Sequence, residues 1–558
     1  MSVLTSRSGI HLVRPNTAVV LATALAALIA LPLLGLLANL FSPGASEAWS
    51  HLAGTVLPGY VRTSVALVAL VGFGAATIGA GTAWLTAAYR FPGSRVLSWA
   101  LVLPLAVPAY VIAYAYTDLL QFSGPVQGWI RATWALRAGE YWFPDIRSLG
   151  GAAVVFALVL APYVYLPVRA AFLEMPANLG EAARLAGARP LAAFFRIDLP
   201  LAWPAVAGGV ALVMMETLAD YGAVSYFAVD TFTAGIYRAW LGLGDRAAAA
   251  QLALVLLGFV IAILGIERSV RGARRFSGGR ASAPRRPQML HGWRAWAAMT
   301  ACALPVALGF LLPVIVLAQL AWNEAEGYSW TRFQAMALAS FQVAAMASVI
   351  TVTLALALLH AARTTRHPWL GGVNRLAAYG YAVPGAVLAI GILIPLARFD
   401  NWFADVAQSM FGWNPGLLLT GTVVALVYAY VVRFLAVGLN TVESGFARIT
   451  PHMDEVARSL GCGPWALARR VHVPLLSRSL AVAALLVFVD ALKELPATLA
   501  LRPFNFDTFA TQAYHLAKDE RLGEAALPSL AIVAVALLPV LLTTRAMAAR
   551  AQTSRRSA

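Results

Sequence analysis

The sequence predicts an all-α polytopic membrane protein of about twelve transmembrane helices, arranged as two parallel six-helix repeats. Composition is the first observation: of 558 residues, 60% are hydrophobic and only 12% charged, against about 25% charged in soluble chains. The second is a series of long apolar runs, such as TAVVLATALAALIALPLLGLLANLF from Thr17 and AALPSLAIVAVALLPVLL from Ala525. About 20 apolar residues span the hydrocarbon core as a helix, and backbone groups in lipid must be paired internally. The third is a repeat: many residues of the first half recur in the second at a nearly constant offset.

The spans are expected to start near Thr17, Arg62, Leu97, Leu149, Leu201 and Ala247, then near Ala295, Ala339, Leu376, Gly416, Ser477 and Ala525. The N-terminal run is longer than a signal-peptide core of about 7–15 residues and is read as the first span. Residues 1–266 form one half and 295–558 the other. Between them, residues 267–294 are rich in Arg, Gly, Ser and Pro, which predicts a solvated basic linker.

Charge sets the sidedness. With the N-terminus inside, the N-terminal segment, every second loop and the C-terminus carry most of the 41 Lys and Arg and few of the 25 acids. That is the positive-inside pattern, with both termini cytoplasmic. It also accounts for the net charge of +16 without a nucleic-acid partner. Lipid is the expected surrounding. Cys302 and Cys462 match no metal or redox spacing, and no firm metal site is predicted.

The repeat is clearest in two charged stretches. EAARLAGARPLAAFFRIDLP runs from Glu181 to Pro200, and EVARSLGCGPWALARRVHVP from Glu455 to Pro474, an offset of 274. The same offset carries Glu216 to Asp490 and Asp220 to Glu494, and an offset of 276 carries Ala106-Val107-Pro108 to Ala382-Val383-Pro384. Six spans per half is an even number, so both copies enter the membrane in the same direction. Each charged stretch falls in a cytoplasmic loop, 173–200 or 441–474. EAARLAG reads as a short helix stopped by Gly187, a residue tolerant of left-handed backbone. LAAFFRI comes next as a second amphipathic piece, and Pro200 is expected to open the next span. Loops this long are usually functional rather than simple connectors.

The pattern EAA, three residues, Gly, nine residues, Ile, one residue, Leu-Pro resembles the signature of permease subunits of bacterial ABC importers. It is intact from Glu181 to Pro200; the second copy keeps its Glu, Gly and Pro but has EVA and VHVP. The resemblance implies a type I ABC importer permease fold in the bacterial inner membrane. It implies that each elbow docks on a cytoplasmic ATP-binding subunit, two per chain. The coupling residues would be Glu181, Ala182, Ala183 and Gly187, with Glu455, Ala457 and Gly461. The chain has only two lysines, Lys493 and Lys518, and neither follows a glycine. It therefore lacks a P-loop ending, so it is not read as an enzyme: ATP and Mg would sit on the partner, and no cofactor is expected on this chain.

The span after each elbow carries acids: METLADYG with Glu216 and Asp220, and VDALKELPATLALRPFNFDT with Asp490, Lys493 and Glu494. Ionisable residues in a span are costly and usually face a polar path. Each pair is spaced i, i+4, one helix face, which is expected to line the seam between halves. The plain alternative is that Lys493 pairs with Asp490 or Glu494 as structural glue.

KELPATLALRPFNFDT, together with FTAGIYRAWLGLGDRAAAAQLA from Phe232, resembles the ferric-iron importer permeases, often fused twelve-span chains. That implies iron delivered by a periplasmic binding protein, which would dock on outer loops such as 118–147 and 502–524. Carboxylates suit a hard cation. Permeases for thiamine or polyamines share features of this architecture and stay open as alternatives. A secondary transporter using the acids for ion coupling does not explain paired elbows, and no motif supports a membrane-embedded enzyme.

Overall fold

The computed structural model describes residues 17–39, 41, 45–137, 139–176, 185, 187, 189–272, 287–324, 328–365, 372 and 379–556. Within them, ten helices are long and apolar enough to cross a membrane. A bent pair, Ser94–Ala106 with Ala109–Trp134, brings the number to eleven, and the helix Thr17–Asn39, apolar over the shorter stretch Thr23–Asn39, stands at the place of the first of the twelve expected spans. The predicted order holds, with informative shifts at three boundaries.

The first shift is at the elbows. The fifth span does not open at Pro200. It forms one continuous helix from Pro190 to Ala219, and the eleventh runs from Pro464 to Leu492. Each contains one wide turn, Phe194–Asp198 or Ala468–His472, in which the N–H of Leu199 or Val473 reaches back five residues. Each wide turn lies just before a proline, Pro200 or Pro474. The seventh span repeats the device, with the turn Ala307–Leu311 ahead of Pro313. A proline ring collides with the carbonyl four residues back in a regular helix, and a wider turn relieves the collision without ending the helix.

The second shift is in the third span of each half. Ala106-Val107-Pro108 and Ala382-Val383-Pro384 sit at breaks, where a short 3-10 turn gives way to a new helix at Ala109 or Gly385. In the first half the two pieces meet at 93°. The third is the tenth span, which begins at Val423 rather than Gly416. The buried Asp400 carboxylate accepts bonds from the Thr420 N–H (2.7 Å) and hydroxyl (2.5 Å), holding 416–422 against the ninth span.

The two halves share their packing. The second, fourth and fifth spans pack together, and so do the eighth, tenth and eleventh. Fine details repeat as well: Ser64 accepts from the Phe232 N–H at 3.3 Å, and Ser340 from the Phe509 N–H at 2.8 Å. Ser148 and Thr422, offset by 274, cap the fourth and tenth spans.

The halves also interlock. The first span packs on the ninth, and the seventh packs on the broken third span. At the first crossing a methyl on Gly35 would lie 2.7 Å from the Gly391 carbonyl oxygen. Small residues let helices approach in this way where no hydrophobic force favours one apolar neighbour over lipid. The end of the linker is ordered: Gln288–Met289 forms a parallel two-residue strand with Tyr89–Arg90.

Candidate functional site

The breaks in the third spans face the breaks that come after the fifth and eleventh spans. Between them lies a cavity of about 120 Å³. Its lining includes Val107, Pro108, Tyr110, Tyr163, Tyr381 and all four predicted acids, Glu216, Asp220, Asp490 and Glu494. Lys493 and Arg433 complete it. The acids therefore do meet at the seam between halves.

They do not meet as an i, i+4 face of one helix. The fifth span ends at Ala219 and the eleventh at Leu492, so Asp220 and Glu494 lie past the helix ends. Each acts instead as a cap. Asp220 accepts from the N–H groups of Ala223 (2.9 Å) and Val224 (3.2 Å), and Glu494 from Ala497 (2.9 Å). A carboxylate at a helix start satisfies otherwise unpaired donors and matches the positive end of the helix dipole.

The halves differ in charge compensation. Lys493 Nζ lies 2.9 Å from Asp490, and Arg433 lies 3.5 Å from Glu494, so both second-half acids are ion-paired. The first-half acids are held by neutral donors: the Tyr381 hydroxyl donates to Glu216 at 2.7 Å, and Asp220 has its backbone caps. Arg433, which lines the cavity, is not among the residues singled out from the sequence. It interrupts the apolar run VYAYVVRFLAVGL, and a charge inside a span is itself a functional signal.

On the side of the loops 121–148 and 502–521, tyrosines bridge the halves. Tyr221 and Tyr237 stack at 3.9 Å between ring centroids, the Tyr514 hydroxyl donates to that of Tyr221 at 3.1 Å, and the Tyr237 hydroxyl donates to the Pro496 carbonyl. The two loops meet at Arg147 and Glu520, 3.9 Å apart. In the second of them, burial and the nearby Arg502 push the His515 imidazole below its usual range.

At the opposite face are the elbows. Glu181, Ala182 and Ala183 lie outside the described residues. Gly187 and Gly461 both have left-handed backbone, φ +75° and +83°, as expected of glycines that stop a short helix. The second elbow helix runs from Pro451 to Ser459 and carries Glu455, exposed, and Ala457, buried. Among the described residues, no group of three or more His, Cys, Asp or Glu is arranged to hold a metal ion.

Comparison with known proteins accords with this geometry. Residues 75–270 match the family described as binding-protein-dependent transport system inner membrane component. The chain is 26% identical over 490 residues to the Fe(3+)-transport system permease protein FbpB 2 of Haemophilus influenzae, covering 86% of this chain and 88% of that one. It is 26% identical over 201 residues to the sulfate transport system permease protein CysT of Escherichia coli, 36% of this chain and 70% of that one. A Salmonella typhimurium permease protein named for 2-aminoethylphosphonate transport is 28% identical over 216 residues, 39% of this chain and 74% of that one.

Proposed function

We propose that the chain, a multi-pass permease subunit of an ABC importer with two similar halves, conducts ferric iron into the cell by alternating access. The observation that carries the iron reading is the cavity at the seam, where four carboxylates outnumber two cations. Hard oxygen donors suit a hard trivalent cation. The similarity to the ferric-iron permease, which runs through both halves, supports the same reading, whereas the likeness to sulfate and aminoethylphosphonate permeases covers only part of the chain.

Glu216 and Asp220, which among the described residues are held by neutral donors, would meet the cargo first. Asp490 and Glu494 would remain tied to Lys493 and Arg433 and set the shape of the path. ATP binding on two separate cytoplasmic subunits would draw the elbows together and rock the halves about the cavity. The face bearing 121–148 and 502–521 would then receive a periplasmic binding protein.

The test is affinity purification of the detergent-solubilised chain, then identification of co-purifying proteins and iron uptake in liposomes. A P-loop ATPase in about twofold excess is expected from two elbows. ATP-dependent uptake of ferric iron, but not of sulfate, is the expected transport result. Uptake driven by an ion gradient without any ATPase would overturn the importer mechanism.

A further inference from the structure

A buried polar relay lies beneath the second elbow, and the transport path makes no use of it. The Nδ1 atoms of His360, on the eighth span, and His472, in the wide turn of the eleventh, are 2.9 Å apart. His472 Nε2 lies 3.0 Å from Asp454 Oδ1, and Arg363 Nε donates to Asp454 Oδ2 at 2.5 Å. Arg363 also donates to the Ile449 carbonyl at 2.7 Å. His472 is fully buried. Asp454 immediately precedes Glu455 on the elbow helix, so this relay ties that helix to two membrane spans.

The geometry restricts where protons can sit. Asp454 accepts from Arg363 and is ionised, so His472 Nε2 must carry a hydrogen to donate to it. Between the two Nδ1 atoms one ring must donate and the other accept. The pair therefore accommodates either no excess proton or one. A second would set N–H against N–H and break the contact. Among the described residues, Asp454 and Arg458 of the elbow helix and the Pro464 backbone face His360, and Arg363 of the eighth span faces Asp454. The rings of Phe446 and His472 meet in a T-shaped contact, and the exposed His452–Glu455 pair lies elsewhere on the elbow helix.

The first half is built differently at the matching positions. Offsets of 276 and 274 carry Trp84 to His360 and Asp198 to His472. There the indole N–H donates to the carboxylate at 3.0 Å. An indole only donates, so this contact contains no pair of imidazole nitrogens that a second proton could set against each other.

From this, and from the reading of Pro451–Ser459 as a coupling elbow, we infer that His360, His472 and Asp454 are positioning residues whose grip on that elbow is proton-dependent. With no more than one excess proton the relay holds the elbow to the eighth and eleventh spans. A second proton releases it, while the first elbow is unaffected. Coupling through the second half is thereby sensitive to pH on the elbow face.

Hydrogen–deuterium exchange on the full-length solubilised chain tests this directly. Protection of Pro451–Ser459 would be compared at about pH 7.5 and about pH 5.5, after correction for intrinsic exchange, across the range where histidine titrates. Wild type should lose protection roughly tenfold on acidification, whereas Pro190–Ala193 in the first half should not. In His360→Asn the side-chain amide takes the place of the ring Nδ1 and can donate or accept, so protection should persist at both pH values. His360→Gln serves as the second variant if the first does not fold. Equal wild-type protection at the two pH values, or equal acid loss in the amide variant, would overturn the inference. Absence of any co-purifying ATPase would count against the importer reading and leave the exchange result standing.

Discussion

Arg433 and Glu494, both from the second half, pair at 3.5 Å on the wall of the seam cavity, with side chains only 9% and 5% exposed. Neither side chain has bulk water to replace its partner. Glu494 also caps the helix that resumes at Pro496, so one carboxylate serves both the ion pair and the backbone.

Removing one partner of such a pair is expected to be worse than removing both. Glu494→Gln leaves a buried guanidinium uncompensated, at a cost of about 3–5 kcal/mol. Arg433→Gln with Glu494→Gln should recover much of that loss. Thermal denaturation of the purified single and double variants checks this, and additive losses would show that the pair is not coupled.

Glu216 should matter for cargo more than for stability. Its partner at 2.7 Å is the neutral Tyr381 hydroxyl, and an amide at this position can still accept that bond. Glu216→Gln should lower ferric-iron uptake at least roughly tenfold, about 1.4 kcal/mol, with the melting temperature little changed. Uptake at the wild-type rate would remove Glu216 from the path.

The elbow glycines are predicted to act through coupling. Gly461 has φ +83°, and a side chain there costs about 1–2 kcal/mol. Gly461→Val, like Gly187→Pro and Glu181→Lys in the first copy, should uncouple ATP hydrolysis from transport while the chain still reaches the membrane. Normal uptake in all three would end the coupling assignment.

Asp454 has a pH dependence of known sign. Burial opposes its ionisation, and the bonds from Arg363 and His472 outweigh that, holding the carboxyl below the usual range. A depressed acid contributes stability that is fully present above its unfolded value, about 3.9, and is lost as pH falls through the lower folded value. The stability gap between wild type and Asp454→Asn should therefore stay constant as far as Asp454 is concerned from about pH 5 upward. Denaturation across this range checks it, and any change near pH 6 then reports on the histidines.

The crossing of the first and ninth spans is too close for a side chain. A methyl on Gly391 would lie 2.4 Å from the Pro32 carbonyl oxygen. Gly391→Val should destabilise the chain by about 1–3 kcal/mol through overpacking. Limited proteolysis of the first span, faster in the variant, provides the measurement.

Local sequence properties determined a large part of this protein. Hydrophobic run length set the order of the spans and most of their number, because the thickness of the bilayer leaves few alternatives. The fixed offset exposed the repeat, since matched halves keep matched residues. A glycine closing a short amphipathic stretch marked Gly187, and through the repeat Gly461, as sites of left-handed backbone, because that conformation is a local requirement. Contacts between distant parts of the chain were decided only by the tertiary structure. Asp220 and Glu494 read as the second members of one-face pairs, yet they lie beyond the helix ends, where each accepts from N–H groups at the start of the next helix. The charge of Arg433 within an apolar run was a signal in the sequence, but its partner Glu494 was decided only when the tenth span brought the two together. The pairing of His360 with His472 joins residues 112 apart, and no local pattern encodes it. Periodicity and propensity act over a few residues, whereas compensation of a buried charge depends on whichever groups the fold places within a few ångströms.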